Sequence, residues 1–185
     1  PDRLPRSRPA FRRQPHRAVG RGSGGPVFHP PAGRLTGRPG GSTIPEMEQI
    51  HATAVDIDGS GVLLSGPSGS GKSDLALRLI DGGARLVADD RTDLALADGH
   101  LVASAPREIA GRMEVRGLGV LEKDAVPQTV LALVVELVDP EDVERVPETA
   151  TVKFLGVDVP VVRLHAFEAS AAAKVRAVLM AAGAL

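Results

Sequence analysis

Gly66-Pro67-Ser68-Gly69-Ser70-Gly71-Lys72-Ser73 is the stretch that decides the fold, because it fills every fixed position of the phosphate-loop pattern G-x-x-x-x-G-K-[ST]. Glycines in this pattern let backbone N–H groups turn inward around an anion, and the helix that follows directs its positive N-terminal end at the same phosphates. The spacing predicts that Lys72 reaches the β and γ phosphates of a nucleoside triphosphate and that the Ser73 hydroxyl ligates Mg²⁺.

The flanking residues supply the strand and the helix that such a loop requires. Gly61–Ser65 is a short apolar run, as expected of a buried strand that leads into the loop. Apolar residues after the loop recur at the spacing of a helix that lies on a sheet: Leu75, Ala76, Leu79 and Ile80. Gly82-Gly83 then predicts the end of this helix. This order favours a phosphate loop over the alternative, a flexible Gly/Ser turn with an accidental lysine.

Residues 1–46 differ in composition from the rest of the chain. They contain nine arginines, nine prolines and eight glycines, but no lysine and only two acidic residues. Without a periodic apolar run this stretch cannot bury enough surface to offset the entropy of ordering it. We therefore expect two regions, an Arg/Pro/Gly-rich disordered tail at 1–46 and a catalytic domain at 47–185.

Three origins of the tail compete: a basic arm, a targeting peptide, or a misassigned translation start. A secretory signal requires an apolar stretch that is absent here, and the proline density is incompatible with a presequence helix. Met47 opens the first segment with the pattern of a folded domain, which favours a misassigned start, with a basic arm as the alternative.

Charge and composition exclude several classes of function. Nine of the 22 Lys and Arg residues and two of the 23 Asp and Glu residues lie in the tail. The domain therefore has 13 basic and 21 acidic residues. This acidic balance disfavours nucleic-acid binding. The chain has no cysteine, hence no disulfide and no cysteine-ligated zinc, which fits a cytoplasmic setting. No apolar stretch is long enough to cross a bilayer.

The remainder of the domain is rich in strands. A turn at Asp58-Gly59 joins His51–Ile57 to the strand before the loop, and Asp98-Gly99 is a hairpin signal. Other strands are predicted at Arg85–Ala88, Asp93–Ala97, His100–Ser104, Val130–Val138, Val152–Leu155 and Val159–Leu164, with a C-terminal helix at Ala169–Ala182. Pro160 indicates an edge or irregular position. The fold class is therefore α/β, a phosphate-loop domain with more strands than usual.

The predicted strand Arg85–Ala88 ends in two adjacent carboxylates, Asp89 and Asp90. Acidic residues after a strand form the second half of most phosphate-loop sites, where a carboxylate holds Mg²⁺ or orients the attacking group. Adjacent side chains at a strand end point in different directions, so one carboxylate can face the metal and the other the acceptor. A solvated turn with two exposed acids is the alternative.

Taken together, these motifs resemble the catalytic domain of HPr kinase/phosphorylase, the bifunctional enzyme of the bacterial sugar phosphotransferase system. The resemblance rests on His51-Ala52, the phosphate loop, Arg85–Asp90, and Glu114-Val115-Arg116-Gly117-Leu118-Gly119. It extends from about His51 to the end, and its pattern is similar to the short single-domain forms of some proteobacteria. It implies a strand-rich sheet with flanking helices and an ATP-dependent protein serine kinase that acts on the phosphocarrier HPr.

The resemblance also implies roles for single residues. Asp90 takes the position of the catalytic aspartate, which accepts a proton in the kinase direction and donates it in the reverse reaction. Glu114 falls where the family has a second metal-linked carboxylate, beside Asp89 and Ser73. His51 matches a histidine of the family's active site, and Arg145 matches an arginine near the transferred phosphoryl group.

One difference from the family concerns its reverse, phosphorolytic activity. A proline-glycine-arginine loop near the family's C-terminus is linked to dephosphorylation, whereas this chain has His165-Ala166-Phe167-Glu168. We therefore leave this direction open and assign no residue of the loop to the site. Family likeness further implies a homo-oligomer, commonly a hexamer. Two other functions are weighed: a phosphate-loop kinase for a small metabolite, disfavoured by few basic residues after Asp90, and a catalytically idle ATP-binding regulator.

Overall fold

The computed structural model describes residues 46–183. In this range the chain forms eleven strands, two α-helices and one 3₁₀ turn. The strands are β1 (Met47–Ile50), β2 (Ala52–Ile57), β3 (Ser60–Ser65), β4 (Arg85–Ala88), β5 (Thr92–Ala97), β6 (His100–Ser104), β7 (Arg112–Val115), β8 (Gly119–Glu122), β9 (Gln128–Leu137), β10 (Ala150–Phe154) and β11 (Val157–Leu164). The helices are α1 (Lys72–Asp81) and α2 (Ala171–Ala181), and the 3₁₀ turn is Pro140–Asp142.

A mixed nine-stranded sheet forms the framework. Its main path runs β1-β5-β6-β9-β3-β2-β4, with β11 beside β9 and β10 beside β11. Strand β9 organises this sheet, because it pairs parallel to both β3 and β11 and antiparallel to β6. The carboxyl ends of β3 and β11 therefore flank the carboxyl end of β9. As a result, the loop that begins at Gly66 lies close to the segment that follows β11.

Both faces of the sheet are buried, as the apolar run in β9 predicts. On one face α1 and α2 pack through Leu75, Leu79 and Val175 against alternate residues of β3 and β9. The intervening residues, such as Leu63 and Val134, point into a second cluster whose buried members all belong to strands. Each fully buried leucine contributes about 1.5–3 kcal/mol relative to an exposed one, so these two clusters fix the frame that holds the loop.

The structure confirms the predicted α/β class and most predicted elements. The two Asp-Gly turns close the hairpins β2–β3 and β5–β6, with φ of 52° and 91° at Asp58-Gly59 and 50° and 79° at Asp98-Gly99. Both residues of each turn have positive φ, as a type I′ turn requires. Pro160 pairs with Thr151 of β10, and pairing with β9 starts only at Val161, so the proline lies at an edge position.

Two elements were not predicted. Strand β1 pairs with the edge of β5, and β7 with β8 forms a separate two-stranded hairpin. The second lies between the predicted strands His100–Ser104 and Val130–Val138, in a segment that contains three glycines within 111–119. Its strands have four residues each, and Met113 is their one fully buried side chain, so no alternating pattern marks them.

The predicted tail at 1–46 lies outside the described residues, apart from Glu46, and the division at residue 47 stays a prediction. Neither described helix has the length and apolar character of a membrane-spanning segment.

Candidate active site

The loop Gly66–Ser73 joins the end of β3 to the start of α1, as predicted. Its last glycine, Gly71, precedes the helix at φ +93° and its carbonyl accepts the first helical hydrogen bond, from Leu75 N–H at 2.9 Å. A Cβ at this position would lie 2.7 Å from Ala166 Cβ and 3.0 Å from Phe167 Cζ. Both the backbone conformation and the close approach of the 165–168 loop therefore require glycine here.

Lys72 lies at the base of the loop and is only 7% exposed. Its ammonium donates to the carbonyls of Gly66 at 2.9 Å and Pro67 at 3.0 Å, so that the loop curls around its own lysine. Burial lowers the pKa of Lys72, and the negative charges of Asp90 and Asp89 oppose this effect. The Lys72 ammonium is therefore a poorly solvated cation whose charged form two nearby carboxylates favour.

Asp89, at the end of β4, is 5% exposed and accepts three hydrogen bonds. Thr53 Oγ1 donates to its Oδ1 at 2.8 Å, Ser73 Oγ donates to the same oxygen at 3.0 Å, and Glu114 N–H donates to Oδ2 at 2.9 Å. One carboxylate therefore links β2, the start of α1 and the β7–β8 hairpin. The predicted metal residues Ser73 and Asp89 meet here through their side chains, whereas Glu114 takes part through its backbone N–H.

Asp90 differs from Asp89 in backbone conformation and in the exposure of its side chain. It has φ +67°, in the left-handed region that aspartate adopts more readily than most residues, and its side chain is 67% exposed. Its Oδ1 lies 3.5 Å from Nδ1 of His51. Two of the residues that the resemblance assigned to catalysis, His51 and Asp90, thus lie side by side at the mouth of the site, while Asp89 lies beneath them.

These residues line one cavity of about 380 Å³. Its lining consists of His51, Thr53, Ser68, Gly69, Gly71, Lys72, Ser73, Asp74, Leu77, Asp89, Asp90, Glu114, Val115, Arg116 and Phe167. A second hollow of about 440 Å³ runs along the first part of the loop and shares Ser68, Gly69 and Phe167 with the first. The two together follow the whole loop from Ser65 to Ser73.

The donor set fits a nucleotide phosphate with Mg²⁺. Among residues 46–183 no three His, Cys, Asp or Glu side chains are grouped to hold a metal by themselves. Mg²⁺, however, takes one or two carboxylates and fills its remaining positions with waters and phosphate oxygens, which Asp89 and the Ser73 hydroxyl suit. Within the same residues the buried Oγ of Ser70 is a polar atom without a hydrogen-bond partner, and it lies inside the loop.

Arg145 is the predicted site residue that the structure does not bring to the cavity. It lies on the exposed segment between the 3₁₀ turn and β10, and it lines neither hollow. Six residues not assigned to the site also line the cavity: Thr53, Asp74, Leu77, Val115, Arg116 and Phe167. Arg116 belongs to the quoted Glu114–Gly119 motif, which could have indicated it, whereas no local signal marks Thr53. Phe167 belongs to the 165–168 loop, from which no residue was assigned to the site.

Comparison with known proteins gives a consistent result. Residues 42–182 match the family described as HPr serine kinase C-terminal domain. Curated relatives include the HPr kinase/phosphorylase of Prosthecochloris aestuarii, 39% identical over 131 residues, and that of Clostridium tetani, 47% identical over 74 residues. These matches cover 64% and 40% of this chain but 38% and 24% of the relatives, so the chain spans about two fifths or less of their length.

A solved structure shows the same fold. The Hpr(Ser) kinase/phosphatase from Coxiella burnetii is similar to this chain with a TM-score of 0.65 and 28% sequence identity. The superposition covers 74% of this chain and 90% of that one.

Proposed function

The chain belongs to the family of HPr serine kinase C-terminal domains, and on this premise we propose that it is an ATP-dependent protein kinase that phosphorylates the regulatory serine of an HPr-like phosphocarrier. One observation carries the proposal. The exposed carboxylate of Asp90 and the buried ammonium of Lys72 line the same cavity, at the end of a loop with the phosphate-loop sequence pattern. A site that only binds phosphate needs the lysine cation, whereas an exposed carboxylate beside it would repel the phosphate and is expected only where a proton must be accepted.

The proposed transfer uses the residues of this cavity as follows. Inward-facing N–H groups of the loop and the Lys72 ammonium hold the phosphate oxygens of ATP and stabilise the charge that develops on them. The serine hydroxyl of the phosphocarrier attacks the γ phosphorus, a bond forms between them, and the bond from the γ phosphorus to the β–γ bridging oxygen breaks. Asp90 accepts the proton from the serine, and ADP carries away the leaving oxygen.

His51 and Asp89 support this chemistry without taking the proton. His51 Nδ1, 3.5 Å from the Asp90 carboxylate, restrains it at the mouth of the cavity. Ser73 Oγ and Asp89 are the groups that would hold Mg²⁺, and the Glu114 side chain, which lines the same cavity, is the further predicted ligand. When bound, this ion neutralises charge on the β and γ phosphates.

The deciding experiment incubates the full chain with purified HPr, ATP and Mg²⁺ and measures phosphoserine on HPr by mass spectrometry. Asp90→Asn should lower the transfer rate by about 10²–10⁴-fold, the usual contribution of a general base, with ATP affinity little changed. Absence of phosphoserine, under conditions where an active relative produces it, would refute the proposal. ATP binding without transfer to HPr would favour an idle regulator, and transfer to a small molecule a metabolite kinase.

The reverse reaction and the assembly are separate parts of the proposal. Phospho-HPr with inorganic phosphate tests phosphorolysis, and formation of pyrophosphate would establish it. Light scattering tests the homo-oligomer, which we propose to be a hexamer by family likeness. Fractionation of native cells tests the cytoplasmic location.

A further inference from the structure

Phe167 is an aromatic ring that the fold holds in place without burying it. Its side chain is 59% exposed, yet it lines both hollows of the site and approaches Gly71 at the start of α1. The ring of His165 contacts it edge to face, with centroids 5.6 Å apart and planes inclined by 66°. A single exposed apolar side chain is common, but this one is held against the phosphate loop and lines both hollows, which places it where a ligand would bind.

The loop that carries this ring is fastened at several points. Arg78 of α1 donates to the carbonyls of Ala166 and Glu168, one on each side of Phe167, while Asp74 accepts from the same guanidinium at 2.8 and 3.1 Å. His165 Nδ1 lies 3.1 Å from the carbonyl of Val138, and the Lys174 ammonium binds the Glu168 carboxylate. The ring is therefore fixed relative to the phosphate loop and to α1.

We propose that Phe167 is the platform on which the base of the bound nucleotide stacks, and that Arg78 is the residue that positions it. The inference rests on the proposed function, since it takes a nucleotide to be the ligand. The triphosphate must place its γ phosphate near Lys72 and Asp90, and the cavity extends from there along the first turns of α1. Its large apolar side chains are Leu77, Val115 and Phe167, and an aromatic face is the group that a purine selects.

The affinity for ATP compared with that for inorganic tripolyphosphate tests this proposal, because tripolyphosphate has the phosphates and no base. In titration calorimetry of the full chain with Mg²⁺, Phe167→Ala should weaken ATP binding about 5- to 150-fold, the range for loss of one base–aromatic stack. Binding of tripolyphosphate should change less than about twofold. Phe167→Trp should keep the wild-type affinity for ATP.

Met180→Ala is the matched control, because Met180 is a comparably exposed apolar side chain on α2 that does not line the cavity. Equal ATP affinity of wild type and Phe167→Ala would overturn the inference alone. Failure of the wild type to bind either ATP or tripolyphosphate would overturn the proposed function with it. A higher KM for HPr at unchanged ATP affinity would assign Phe167 to the protein substrate instead and would also overturn the inference.

A double-mutant cycle tests the role of Arg78. If Arg78 acts through the ring, Arg78→Ala should weaken ATP binding with tripolyphosphate binding preserved, and its effect should largely disappear in the Phe167→Ala background. Arg78→Lys cannot span both carbonyls and should not restore ATP affinity. Additive effects of the two substitutions would show that Arg78 only supports the fold.

Discussion

Asp89 offers a way to separate the architecture of the site from its charge. Its carboxylate is buried and accepts from Thr53, Ser73 and the Glu114 N–H. An asparagine has the same shape and can satisfy all three partners after a flip of its amide, with the oxygen toward the N–H and the two amide hydrogens toward the two hydroxyls. Asp89→Asn should therefore fold normally while losing the negative charge that a metal requires.

Asp89→Ala removes the acceptor altogether. The Thr53 hydroxyl is completely buried and would be left without its partner, which costs about 1–3 kcal/mol. The Ser73 hydroxyl and the Glu114 N–H border the cavity and can find water, so each loses about 0.5–1.5 kcal/mol of net hydrogen-bond stability. The expected loss is about 2–6 kcal/mol for alanine and less than about 1 kcal/mol for asparagine.

Urea unfolding of the full chain, followed by circular dichroism, measures both changes. With a slope of about 2 kcal/mol/M, Asp89→Ala should lower the midpoint by about 1–3 M. Asp158→Ala is the control, because Asp158 is an exposed partner of Lys153 whose removal should change stability by less than about 0.5 kcal/mol. If Asp89→Ala were as stable as this control, the carboxylate would not hold the three elements together. If Asp89→Asn were as unstable as alanine, the amide-flip reasoning would be wrong.

Three further predictions test other parts of the structure. Gly71→Ala should destabilise the fold by about 1–3 kcal/mol and weaken ATP binding, because φ at this position is +93° and the alanine Cβ would meet the 165–168 loop. An unchanged melting temperature and an unchanged ATP affinity would contradict this. Arg145→Ala should leave ATP affinity within about twofold of wild type, because Arg145 does not line the cavity; lost affinity would place it in the nucleotide site. Burial raises the pKa of Asp56, but hydrogen bonds from Thr129 and Arg85 outweigh it and lower the pKa below 3.8. The stability that the charged Asp56 carboxylate contributes is therefore complete above pH 3.8 and is lost as the pH falls further. The difference in unfolding free energy between wild type and Asp56→Asn should narrow below about pH 4, which acid unfolding measures. A difference that stays constant with pH would refute this prediction.

The sequence predicted what depends on neighbours along the chain. The loop, the helix start at Gly71 and both Asp-Gly hairpins follow from backbone conformations that only a few residue types adopt. The contacts that complete the site join distant residues: Thr53 reaches Asp89 across 36 positions, and Arg78 reaches the carbonyl of Glu168 across 90. No periodicity encodes such pairs, because they depend on which strand ends the sheet topology brings together.

The different surroundings of Asp89 and Asp90 determine which of them can act as the base. A carboxylate has about four sites that accept hydrogen bonds, and Asp89 uses three of them within the fold. The single remaining site suits one bond to a cation. Among the described residues Asp90 forms an ion pair with His51 and is open to the cavity mouth, so in the proposed transfer its oxygens would meet the incoming hydroxyl and take its proton. Exchanging the two roles would require rebuilding β2, α1 and the β7–β8 hairpin, because all three are bonded to the inner carboxylate and none to the outer one.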